Sequence, residues 1–168
     1  MTLPRVGLFL RSILPAVVTL AAVLLVALPV GVPFFAVVTP FLPLMAVYYW
    51  SIYRPDLLPP AAVFAIGVLQ DILTGSPVGL VALVLLLVQA LAVSQRRILL
   101  GQAFLVEWSG FLLVAAGAAL VSWLLASGYN VAVVPPAPFV TQALLTAALY
   151  PVGSWLFTRA ARLTVRAA

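Results

Sequence analysis

The sequence has no cysteine, no histidine and no lysine: all 8 basic residues are arginines. No disulfide, thiolate nucleophile or cysteine-ligated metal can form. The commonest general base and metal ligand is missing, and so is the amine that makes Schiff bases. Acidic residues are equally scarce, with Asp56, Asp71 and Glu107 the whole supply of 3. Charged residues make up 7% of the 168 residues and hydrophobic ones 66%. Soluble domains run at about 25% charged and about 45–50% apolar. Too few polar residues remain to cover a surface facing water, which excludes an ordinary soluble domain, a disordered tail and a nucleic-acid-binding module. The net charge of +5 therefore needs another explanation than nucleic acid.

What is present is long apolar runs. A helix crossing a bilayer needs about 20 mostly apolar residues. Six candidate spans follow: about 13–32, 34–53, 60–75 (short), 79–95, 104–127 and 139–158. The runs are continuous rather than alternating, so a membrane β-barrel is rejected. The reading is an all-α polytopic membrane protein, a single integral-membrane domain over residues 1–168. The first span is read as an uncleaved helix rather than a signal peptide, because it is long and no clean cleavage site follows.

The arginines set the orientation. Arg5 and Arg11 precede the first span, Arg54 lies between the second and third, and Arg96 and Arg97 lie between the fourth and fifth. Arg159, Arg162 and Arg166 follow the sixth. With six spans all eight fall on one side, and positive residues stay cytoplasmic. Both termini are therefore expected in the cytoplasm. Tyr48, Tyr49, Trp50 and Tyr53 crowd the cytoplasmic end of the second span, with Trp108 and Trp155 near the same face. They read as an interfacial aromatic belt. Pro40 and Pro43 fall inside the second span and predict a bent helix.

Asp71 is the most informative polar residue, since a carboxylate inside a span costs roughly 2.5–3.5 kcal/mol. It sits in Gly67-x-x-x-Asp71-x-x-x-Gly75, with Gln70 beside it and Thr74 three residues on. Residues four apart share a helix face, and the two glycines would let another backbone come close. Asp71 either bonds backbone amides or Thr74 and fixes packing, or forms a ligand, proton or switch site. The packing role is preferred, because no second intramembrane acid or base accompanies it. Ser76-Pro77-x-Gly79 reads as a tight outer turn. Glu107 reads as a helix-start carboxylate or a local partner of Arg96 and Arg97. Ala118, Ser122 and Ala126 form a small-residue stripe for a helix–helix interface, and Gly110 and Gly117 a looser one. No catalytic set assembles: there is no serine–base pair, no P-loop, no paired deep carboxylates and no metal cluster. No enzyme activity, cofactor or metal is expected.

From Arg54-Pro55-Asp56 through Pro59-Pro60 to Gly67-Val-Leu-Gln70-Asp71-Ile-Leu-Thr-Gly75-Ser-Pro77-Val-Gly79-Leu, the chain resembles the MreD family of rod shape-determining membrane proteins. The resemblance implies the bacterial inner membrane and a place in the elongation complex that guides side-wall peptidoglycan synthesis. The implied partners are MreC through its transmembrane helix, the actin-like MreB, RodA, a class B penicillin-binding transpeptidase, RodZ and membrane lipid. The implied fold is similar to the substrate-binding subunits of energy-coupling-factor transporters. Gly67, Gln70, Asp71, Pro77 and Gly79 carry the family motif. A second reading is a vitamin-like small-molecule binding subunit of a transporter, with a pocket around Asp71, Gln70 and Thr74 that Asn130, Thr141 and Gln142 could join.

Overall fold

The computed structural model describes residues 17–24 and 40–166, with side chains in the last helix as far as Arg159. The described residues form an all-helical bundle. Six helices follow one another: α1 over 17–24, α2 Leu42–Tyr53, α3 Pro60–Thr74, α4 Leu80–Leu99, α5 Phe104–Tyr129 and α6 Ala137–Arg166. A 3₁₀ turn, Pro55–Leu57, joins α2 to α3. Among the described residues, three stretches are long and apolar enough to cross a membrane: Leu80–Leu99, Phe104–Tyr129 and Ala137–Arg159. Helix α3, with 15 residues, is a shorter apolar helix. Most of the expected first span and the start of the second, with Arg5 and Arg11, lie outside the described residues.

Proline and glycine set the boundaries. Pro59 and Pro60 open α3, where a missing N–H costs nothing. Gly75, at φ 70°, closes it in the left-handed conformation, and its N–H bonds the Asp71 carbonyl. Gly79, at φ 99°, precedes α4. Arg96 and Arg97 lie in the last turn of α4, where cations suit the helix dipole. The part of the expected second span ahead of Pro40 lies outside the described residues, and within α2 no proline falls past the first turn. Pro43 stands in the first turn of α2, and Pro40 lies before it. Pro43 thus stands at a helix start, the place where proline is tolerated.

Helix α2 is the centre of the bundle. It packs on α4 and α6, α3 packs on α4, and α5 packs on both α4 and α6. Every residue of α2 from Pro43 to Ile52 is buried, as expected of a helix apolar on all sides. Tyr48, Tyr49 and Trp50 are therefore core residues, with Tyr48 fully buried. This corrects the belt expectation, which assumed that this end of the span reached headgroups. Tyr53 is half-exposed, and Trp155 is exposed beneath the Arg159 guanidinium, 4.6 Å from its ring centre. The Phe111 and Tyr150 rings stack at 4.1 Å, and Tyr48 meets them edge-on at 5.1 and 5.8 Å. This aromatic knot joins α2, α5 and α6.

Candidate functional site: polar ties between helix ends

Several polar residues of the bundle end on the backbone or side chain of another helix. Asp71 is the clearest case. It lies in the last turn of α3 and is wholly buried. Its Oδ2 accepts the N–H of Gly79 at 2.8 Å and that of Ala82 at 3.5 Å, and its Oδ1 accepts that of Val81 at 3.0 Å. The first N–H groups of any helix lack intrahelical partners. Asp71 supplies them from the neighbouring helix and places negative charge at the positive end of α4.

The motif residues around it divide by role. Gly67 is the packing glycine: a Cβ there would fall inside the Ala82 backbone, 2.8 Å from its nitrogen and 2.9 Å from its Cβ. Gly75 was expected to share that role and does not. Nothing lies within 4 Å of its Cβ position, and its left-handed φ is what the chain uses. The Thr74 hydroxyl donates to the Gln70 carbonyl at 2.8 Å and pairs with Ser76 at 2.9 Å, closing the turn rather than meeting the Asp71 carboxylate. The Pro77 carbonyl accepts the N–H of Leu80 at 3.1 Å. Gln70 is buried, with its Oε1 unpartnered.

Glu107 forms the second centre, at the opposite end of the bundle. Its carboxylate is buried in the first turn of α5. Tyr150 donates to Oε1 at 2.5 Å and Tyr53 to Oε2 at 2.8 Å, while Tyr48 donates to the Glu107 carbonyl at 3.4 Å. The expected pairing with Arg96 or Arg97 is not made; two phenols hold the carboxylate. Arg96 instead donates from Nε to the Ile52 carbonyl at 2.7 Å, closing the C-terminal end of α2. Arg54 and Arg97 are exposed.

Three further ties were not foreseen from the sequence. The Phe41 N–H, just ahead of α2, donates to Thr146 Oγ1 of α6 at 2.9 Å. Gln89 Nε2 of α4 donates to the Leu58 carbonyl at 2.7 Å, in the link between α2 and α3. Trp108 Nε1 of α5 donates to the Ala147 carbonyl at 2.9 Å. That last carbonyl lies four residues before Pro151, inside α6. Proline cannot donate to it, and the indole takes the missing place. Of these, only the Trp108–Pro151 tie left a sequence signal: a proline inside an apolar run requires an outside donor.

The small-residue stripe faces inward. Ala118 is buried, and Ala118 and Ser122 line a cavity of about 20 Å³ between α2, α5 and α6, with Phe41, Gln142 and Thr146. Ala126 is half-buried. Gly110 packs against Tyr48 and Leu99, whereas Gly117 faces open space. The polar groups named for a ligand pocket do not converge. Asn130 donates to the Ala126 carbonyl, and Thr141 to the carbonyls of Ala137 and Pro138, each near its own position in the chain. A cavity of about 410 Å³ beside the outer turn has a largely apolar wall, including Pro77, Leu80, Leu83 and Leu124. Among the described residues no group of three or more histidine, cysteine, aspartate or glutamate side chains could hold a metal.

Comparison with known proteins agrees with the motif. Neither the curated proteins nor the solved structures include a match to this chain. The family model described as rod shape-determining protein MreD matches residues 7–159, far more than the stretch that first carried the resemblance. The chain thus belongs to the MreD family, a membrane protein family that acts in determining rod shape.

Proposed function

We propose that this protein is a non-catalytic scaffold of the bacterial elongation complex. It crosses the inner membrane six times, with both termini in the cytoplasm. It binds the transmembrane helix of MreC and helps to position the side-wall peptidoglycan synthases within a complex that includes MreB, RodA, a class B penicillin-binding transpeptidase and RodZ. The observation that carries this reading is the use made of Asp71. Both oxygens of this buried carboxylate accept backbone N–H groups of the neighbouring helix, which commits it to holding α3 and α4 together. Glu107 is likewise engaged on both oxygens, by Tyr53 and Tyr150. The orientation follows from the charges. Arg54, Arg96, Arg97 and Arg159 gather at the Glu107 end of the bundle, at the ends of α2, α4 and α6, and positive residues favour the cytoplasm.

Co-purification tests the partner. The full chain, expressed with MreC of the same host and extracted gently, should retain it in fixed proportion. Depletion of the chain should turn rods into spheres. Rods that persist, together with no retained MreC, would refute the scaffold. Topology is separable, because the chain has no cysteine. Single cysteines at Val78 and Val131 should react with an impermeant maleimide from outside. Those at Asp56 and Gln102 should react only after permeabilisation. The reverse pattern would overturn the orientation and leave the partner question standing.

A further inference from the structure

One feature the polar ties do not explain is an apolar cavity of about 410 Å³ between α5 and α6. Leu112, Ala116, Ala119 and Trp123 form one wall, and Phe139 and Ala143 form the other. The alanines make the space, since larger side chains at those positions would fill it. From Leu112 to Trp123 the wall runs eleven residues, about 16 Å. That is one leaflet of a hydrocarbon core about 30 Å thick. A volume of about 410 Å³ over that length gives a section of about 26 Å². One extended hydrocarbon chain fits such a slot.

Charge and polarity agree with that occupant. Among the described residues no charged side chain lines the cavity. The one indole N–H at its rim, Trp123 Nε1, is engaged by the Val134 carbonyl at 2.7 Å. Arg159, on α6, lies fifteen residues beyond Leu144, about 22 Å away. A ligand here would therefore be held by an uncharged chain and not by a headgroup. We infer that the cleft between α5 and α6 is a binding site for a single phospholipid acyl chain, entering from the leaflet beside the 130–136 loop. A site of this kind fixes one lipid where the rest of the apolar surface only touches a passing shell.

The test uses the full chain in phosphatidylethanolamine vesicles containing a small, increasing fraction of phospholipid with a diazirine midway along one acyl chain. Photolabelled residues are mapped by mass spectrometry. Labelling at residues 112–123 and 139–144 should saturate at low probe fraction. On the exposed face of α4, at Leu83, Leu87 and Leu91, it should rise in proportion to the probe. Changing the probe headgroup from ethanolamine to glycerol should alter cleft labelling less than about threefold. Ala119→Phe should abolish the saturable component and leave the α4 labelling intact. Cleft labelling that never exceeds the α4 face, or never saturates, overturns the proposal without any variant. A headgroup preference of tenfold or more also overturns it, as does a cysteine at Ala116 that crosslinks to a co-purifying protein instead of accepting lipid.

Discussion

Replacing Asp71 separates two forces of opposite sign. Insertion scales charge an intramembrane aspartate roughly 2.5–3.5 kcal/mol, so by hydropathy alone Asp71→Leu should stabilise the protein. The hydrogen bonds say the reverse. Two contacts of 2.8 and 3.0 Å, plus a longer one of 3.5 Å, satisfy the start of α4. Bonds to charged groups contribute about 1.5–3 kcal/mol each, and stranding a buried donor costs about 1–3 kcal/mol. Leucine strands the donors and adds bulk where α3 and α4 touch, so a net loss of about 3–5 kcal/mol is expected, the range for breaking a buried charged contact. Asparagine keeps one acceptor but turns an amide N–H toward backbone donors, so about half that loss is expected. The assay is reversible unfolding of the purified chain in mixed micelles, followed by tryptophan fluorescence. The expected order is wild type, then Asp71→Asn, then Asp71→Leu, with at least tenfold in the folding constant between the two variants. Leucine at or above wild-type stability would refute the capping account. So would both variants lying within about 0.5 kcal/mol of wild type.

The two glycines of the motif should respond differently. Gly67→Ala pushes a methyl into the Ala82 backbone, for a loss of about 1–3 kcal/mol in the same unfolding assay. Gly75→Ala meets open space but a left-handed φ, for about 1–2 kcal/mol, and a larger bulky residue there should add little, whereas Gly67→Leu should prevent folding. Trp108→Phe should cost about 1–3 kcal/mol by orphaning the Ala147 carbonyl, and less in a Pro151→Ala background, where the helix supplies its own N–H; a double-mutant cycle without coupling of at least about 0.5 kcal/mol would remove the indole–proline link. Tyr150→Phe should lose more stability than Tyr53→Phe, because Tyr150 is fully buried and Tyr53 is 39% exposed; equal losses would contradict the burial difference.

The α3–α4 hairpin was largely legible in the sequence because its signals are local. Pro59-Pro60, Gly75 and Gly79 mark the ends, and Gly67 and Asp71 four residues apart mark the face. Even so, the spacing could not separate the packing glycine from the turning one, since both lie on the same stripe. The Glu107 centre was not legible. Its nearest charged neighbours along the chain are arginines, while its actual donors stand 54 and 43 residues away. The aromatic run at Tyr48 misled for a related reason. Tyrosines at the end of an apolar run are the ordinary mark of an interface. What buries them is the central position of α2, which belongs to packing rather than to local sequence.

One physical requirement accounts for where the few polar residues went. With 12 and 15 residues, α2 and α3 span about 18 and 22 Å, well short of a core about 30 Å thick. Their ends, and those of the helices beside them, expose backbone groups at depths where water is scarce. Each unsatisfied group there costs several kcal/mol. Apolar contact cannot compensate, because lipid tails are as apolar as the neighbouring helices. Thr146 therefore meets the Phe41 N–H, Arg96 the Ile52 carbonyl, Gln89 the Leu58 carbonyl and Asp71 the start of α4. The donors and acceptors come from α3, α4 and α6, so no short helix can leave without opening a bond to its neighbour. With these groups turned inward, the outer faces of α4, α5 and α6 keep mainly apolar side chains for the membrane and for any partner helix. A partner that docks there must be recognised by shape and packing, and small-to-large changes on those faces should weaken it more than changes of charge.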